Sequence, residues 1–174
     1  DVNALSYYNS VDYPFFSFQG EWNSEEKYVR EGEHSLKITL VPSSVDYNNY
    51  ASVIFNQKMI RQIAFKEGLT FDIYSACETM ATMEVVYSVG STAPVTITQK
   101  IGSGWNTFKM TNDISNATTL QIRFPNEFKE SNYNQPKVFY IDNLRANVFY
   151  EMEGAATRYQ SSEGFDLSEI LKGV

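Results

Sequence analysis

The sequence predicts an all-β fold, a β-sandwich of two antiparallel sheets, and three observations carry that expectation. Apolar residues recur at every second position in one segment after another, which places one face of each strand in a core and the other in water. The segments are short and are separated by turn signals such as Asn48-Asn49, Gly90-Ser91, Gly102-Ser103-Gly104 and Pro125-Asn126. Helical spacing is nearly absent, so the many short strands read as two packed sheets.

The elements follow in order. Pro14–Phe18 is the first candidate strand. In Ser35–Leu40, Leu36, Ile38 and Leu40 share one face, and Ser35, Lys37 and Thr39 take the other. Ala51–Phe55 comes next. Leu69, Phe71 and Ile73 then oppose Thr70, Asp72 and Tyr74, and Met83, Val85, Tyr87 and Val89 oppose Glu84, Val86 and Ser88. Pro94–Lys100 and Trp105–Met110 lie on either side of Gly102-Ser103-Gly104. Leu120, Ile122 and Phe124 oppose Gln121 and Arg123, and Lys137–Tyr150 is the last strand. Residues 1–150 are therefore expected to form the sandwich and 151–174 a linker or docking tail. Within that tail Phe165–Lys172 predicts a short helix, with Asp166 near its N-cap and Leu167, Ile170 and Leu171 along one side.

Composition bounds the function. At 174 residues, 43% of them hydrophobic, the chain is long enough for one domain with its own core. Its net charge of −7 with only scattered Lys and Arg offers no footprint for phosphate backbones or anionic lipid, so no nucleic-acid partner is expected. No stretch approaches the roughly 18 apolar residues of a spanning helix, so no membrane insertion is expected either. The single cysteine, Cys77, excludes an internal disulfide, and the single histidine, His34, excludes a cluster of imidazole ligands. Cys77 ends the segment Leu69–Ala76 and reads as a buried, inert thiol. His34 stands at a strand entrance with no recognisable nucleophile and orienter beside it. No carboxylate pair sits in a glycan-cleaving motif. The chain is expected to be non-catalytic, without an organic cofactor, and a monomer.

Three segments, in order, resemble the galactose-binding-like jelly rolls of carbohydrate-binding modules attached to bacterial glycan-degrading enzymes. Val29-Arg30-Glu31-Gly32-Glu33-His34-Ser35-Leu36-Lys37-Ile38 is similar to the family's glycine turn and the alternating strand after it. Gly104-Trp105-Asn106-Thr107-Phe108 is similar to its Gly-Trp-Asn strand opening, and Phe139-Tyr140-Ile141-Asp142-Asn143-Leu144-Arg145 to its closing strand. The resemblance covers about Pro14 to Tyr150. It implies an exported bacterial protein, extracellular or at the cell surface, and a catalytic domain in a larger chain. It also implies one structural calcium ion, held by Asp142 of the closing strand and by Glu33 or Glu31 of the turn, hard oxygen ligands of the kind calcium takes. The first strand, Pro14-Phe15-Phe16-Ser17-Phe18-Gln19, lacks the carboxylate the family places there, and Asp142 bonding backbone amides at a bulge is the alternative.

A sugar presents an apolar ring face edged with hydroxyls, so its site needs an aromatic platform and planar hydrogen-bonding groups. With 12 Tyr, 12 Phe and 2 Trp the chain has the material. Trp22 lies in a polar setting and is a candidate platform, whereas Trp105 is expected to pack in the core. The loop Val45–Tyr50 carries Tyr47, Asn49 and Tyr50, and the later segment Glu130–Gln135 repeats the mixture with Asn132 and Tyr133; loops of this kind suit sugar recognition. On the polar strand faces Glu84, Gln121 and Arg123 are candidates to line a groove, Arg123 because a guanidinium fork matches vicinal hydroxyls or a uronate. The expected function is that of a non-catalytic carbohydrate-binding module that brings an enzyme to polysaccharide. The alternative is a structural or protein-interaction β-sandwich of a cell-surface or secreted multidomain protein.

Overall fold

A computed structural model describes residues 16–18, 20–41, 50–55, 57, 60–61, 65–127, 135–151 and 158–164. The strands are β1 (Phe16–Phe18), β2 (Gly20–Asn23), β3 (Ser35–Leu40), β4 (Tyr50–Phe55), β5 (Leu69–Ser75), β6 (Ala81–Ser88), β7 (Val95–Ile101), β8 (Gly104–Met110), β9 (Thr119–Pro125), β10 (Lys137–Glu151) and β11 (Arg158–Gly164). They form two antiparallel sheets. The first runs β1-β4-β9-β6-β7 and the second β2-β3-β10-β5-β8, with β11 added to the end of β10. The expected all-β sandwich is the observed one.

Alternation is what lets two sheets share a core. Leu36, Ile38 and Leu40 of β3, Ala51 and Val53 of β4, Met83 and Val85 of β6, and Leu120, Ile122 and Phe124 of β9 are all buried. Each of the Leu, Ile, Val, Met and Phe side chains among them contributes about 1.5–3 kcal/mol by leaving water. Phe124 of the first sheet stacks on Phe139 of the second, with centroids 4.0 Å apart and 6° between the planes. The connection between β4 and β5 adds Ile60 and Phe65, both fully buried. Gly68, at φ 82°, turns the chain into β5; a Cβ there would stand 2.0 Å from the Met110 carbonyl oxygen, so no other residue fits.

The tail expected to be a linker or a docking segment includes a strand. Arg158–Gly164 is a strand, antiparallel to Arg145–Glu151 of β10, so part of residues 151–174 docks by strand pairing. The helix expected over Phe165–Lys172 lies outside the described residues, as do the loop residues Tyr47, Asn49, Asn132 and Tyr133. Cys77 is a free thiol, half-buried against the core. Among the described residues no helix is long and apolar enough to cross a membrane.

Candidate functional site

The outward face of the first sheet brings the expected polar residues together. Strand register sets Ser52, Arg123, Glu84 and Thr98 in one row across β4, β9, β6 and β7, and Ile54, Gln121, Val86 and Thr96 in the next. Arg123 donates from Nε to Glu84 Oε2 at 2.8 Å, and its Nη2 lies 2.7 Å from the same oxygen. Both side chains are about one-fifth exposed, at 21% and 17%, so the pair is partly shielded yet reachable from solvent. Gln121 is half-buried beside it, and Ile54 is 49% exposed, an apolar spot on an otherwise polar surface. Tyr50 opens β4 in register with Pro125. At the same end of the sheet the Glu127 carboxylate meets Lys137 at 3.0 Å and Lys100 at 3.8 Å and accepts a bond from Thr82. Burial works to raise the pKa of Glu127; hydrogen bonds from Thr82 and Lys137 and the two ammonium charges outweigh it and hold the carboxyl below its usual range.

The outward face of the second sheet is covered instead. Segment 24–34, which contains a 3-10 turn at Glu26–Tyr28, crosses it. The base of the segment is tied by Asn23, which donates to Ser35 Oγ at 3.0 Å. Farther along, the backbone N–H groups of Arg30 and Glu31 donate to Asp142 Oδ2 at 2.6 and 2.9 Å. Asp142 is fully buried and stands in register with Asp72 of β5, also buried. Two facing carboxylates repel, and cations and donors gather to offset this. Thr107 donates to Asp72 Oδ1 at 2.8 Å and Asn143 to Oδ2 at 2.9 Å, while Arg145 and Arg30 approach Oδ2 at 3.4 and 3.8 Å. A bulge makes this possible. The pairing of β10 with β5 slips between Asp142 and Arg145, and Asn143 adopts φ 53°, a left-handed conformation that Asn tolerates better than most residues.

The tryptophans take places opposite to those expected. Trp22 pairs with Leu36 and packs, half-buried, against the core. Trp105 lies on the covered outward face of the second sheet, edge-on to Tyr74 at 5.4 Å and beneath the Arg30 guanidinium at 4.9 Å. Glu33 is exposed in the segment that Asp142 holds, where Ser24, Glu26, Arg30, Gly32 and His34 also line a shallow cleft of about 580 Å³. No group of three His, Cys, Asp or Glu side chains able to hold a metal gathers among the described residues. Asp142 and Glu33 carry hard oxygens, but Asp142 Oδ2 already faces two amide donors, so a calcium ion there would need backbone carbonyl oxygens as well. Sequence reasoning missed the cluster around Asp72. Its one sequence signal was the polar phase of β5, which sets Thr70, Asp72 and Tyr74 on a common face.

No protein-family model matches the chain, and no curated protein matches it. Among solved structures an exo-β-agarase superposes with a TM-score of 0.51 at 11% identity, over 80% of this chain and 24% of its own. The agarase AgWH50C gives 0.47 at 12% identity, over 75% and 22%. A family 11 carbohydrate-binding module from Clostridium thermocellum, solved with a β-1,3-1,4-mixed-linked tetrasaccharide, gives 0.45 at 11% identity, over 74% and 81%. The chain spans about a quarter of the length of the agarases it matches. At such identities the likeness is one of fold.

Proposed function

We propose that the chain is a non-catalytic carbohydrate-binding β-sandwich, exported or held at a bacterial cell surface, that keeps an attached or associated glycan-degrading enzyme near polysaccharide by tethering. The observation that carries the reading is the outward face of the first sheet. There a fixed Arg123–Glu84 pair and Gln121 present planar hydrogen-bonding groups beside the exposed Ile54, with Tyr50 at a strand position bordering the row. A face with both planar polar groups and an apolar spot matches the two-sided chemistry of a sugar ring. The fold shared with a domain-sized part of an exo-β-agarase is compatible with this role. A calcium ion beside Asp142 and Glu33 is part of the same proposal, supported by the buried Asp142 carboxylate lying against the Arg30–Glu31 backbone two residues before Glu33.

Affinity electrophoresis through gels containing plant, fungal and bacterial polysaccharides tests the reading. At least one neutral glycan is expected to retard the protein, and Arg123→Ala to weaken that retardation by about tenfold, the loss of one charge-assisted planar contact. Free migration through every gel would shift the assignment to a structural or protein-interaction sandwich.

A further inference from the structure

The aromatic residues of the second sheet's outward face form one connected strip. Tyr140 is buried at one end, and Tyr28 stacks flat on it with centroids 4.1 Å apart and 5° between planes. Tyr74 meets Tyr28 edge-on at 4.9 Å and Trp105 edge-on at 5.4 Å. Tyr28, Tyr74 and Trp105 are each half-buried. Two of the rings carry a cation from the same segment: Lys27 Nζ lies 5.3 Å from the Tyr28 centroid, and the Arg30 guanidinium 4.9 Å from that of Trp105.

The charges around the strip are uneven. At the Tyr140 end Glu21 and Glu25 lie close enough to disfavour a further negative charge, and Glu21 is itself 3.3 Å from Lys37. At the Trp105 end Arg30 and Arg145 share the single Asp72 carboxylate, which already accepts bonds from Thr107 and Asn143. Neighbouring Asp142 is engaged by main-chain amides. The Arg30 side chain is 48% exposed, against 5% for that of Asp72, so the cation outward of this cluster is Arg30. A guanidinium lying on an indole keeps its fork in one plane, the geometry that pairs with a carboxylate or sulfate.

We propose that this strip is a second binding site, separate from the first-sheet face, for an acidic sugar. The pyranose ring packs in the angle between the edge-on Tyr28 and Tyr74 rings, displacing the exposed Lys27 ammonium to its rim, and the anionic substituent, a uronate carboxylate or a sulfate ester, pairs with Arg30. The ligand class rests on the glycan-binding reading above, whereas the surface and the residues do not. The chain's net charge of −7 repels polyanions in general, so capture of one requires a local site.

Columns of immobilised polygalacturonate, dextran sulfate and neutral dextran test it with the 174-residue protein. Retention on polygalacturonate identifies the uronate, retention on dextran sulfate the sulfate ester, and dextran is expected to hold nothing through this site. Lys27→Gln and Arg30→Lys, each checked for an unchanged fold by its melting curve, are expected to weaken acidic retention at least about threefold. Lys27 is exposed, so its variant serves even if Arg30→Lys loosens the segment. Passage through both acidic columns, or retention of both variants equal to that of the unaltered protein, overturns the site. Neutral-glycan binding that depends on Arg123, with no acidic retention, sinks this inference alone; acidic retention sensitive to Lys27 and Arg30, with no neutral binding, sinks the first-sheet reading alone.

Discussion

Replacing Asp142 by Ala removes the acceptor that fastens segment 24–34 to the second sheet. Two backbone amides, those of Arg30 and Glu31, lose a fully buried carboxylate at 2.6 and 2.9 Å. A hydrogen bond to a charged group contributes about 1.5–3 kcal/mol, so the pair carries about 3–6 kcal/mol before any compensation. Arg30 and Glu31 are exposed residues whose amides can bind water once the segment lifts, and removing Asp142 also relieves its repulsion from Asp72. Both effects reduce the loss to about 2–4 kcal/mol, a fall in Tm of roughly 5–15 °C for a chain of this length. Asp142→Asn keeps a carbonyl oxygen in place and is expected to cost about half as much. Urea unfolding should show the midpoint shifting with the slope unchanged, and hydrogen exchange should accelerate at Arg30 and Glu31 before it does at Leu36 or Ile38 of β3. An Ala variant within about 1 kcal/mol of the unaltered protein, with both amides exchanging as before, would refute the idea that Asp142 holds the segment down.

Burial foremost, then the neighbouring Tyr28, Glu25, Glu21 and Tyr74, push the Tyr140 phenol up to about 12. Unfolded chain loses that proton near pH 10, so Tyr140 favours the folded state fully below about pH 10, and this contribution falls away as pH rises toward 12. Tyrosinate absorbance should show one phenol titrating about two pH units late, absent in Tyr140→Phe; an identical titration in the variant would contradict the assignment. If calcium sits beside Asp142 and Glu33, dialysis against EDTA lowers Tm by several degrees and calcium chloride restores it. An unchanged Tm removes the ion and leaves Asp142 as an acceptor for the Arg30 and Glu31 amides.

Much of the fold is legible because strand alternation is a local property. Ser35–Leu40 coincides with β3 to the residue, and the other long strands differ from their expected bounds by a few residues. Strand β2 escaped because Gly20-Glu21-Trp22-Asn23 is four residues with a glycine at its head, and that glycine is demanded only by contact: a Cβ there would sit 1.9 Å from the Lys37 carbonyl oxygen. Strand β11 escaped because Arg-Tyr-Gln-Ser-Ser-Glu-Gly has no alternating apolar face and is a strand through its pairing with β10. The tryptophans are more instructive. Glu21 and Asn23 flank Trp22 with polar groups, and under a period of two that makes Trp22 the inward residue. The phase of Trp105-Asn106-Thr107-Phe108-Lys109-Met110 likewise sets Trp105 with the exposed Thr107 and Lys109, opposite the buried Phe108 and Met110.

What the sequence determined alone is the all-β class, the inward set of each long strand, and the grouping of Glu84, Gln121 and Arg123 on polar faces, since each depends on residues two apart. Which polar residues meet was decided by tertiary structure. Arg30, Asp72, Thr107, Asn143 and Arg145 come from four separated segments and converge only through the register of β5 with β8 and β10, the bulge after Asp142, and the path of segment 24–34 across the sheet. Register and loop path are set by packing over the whole domain, and no local pattern encodes them.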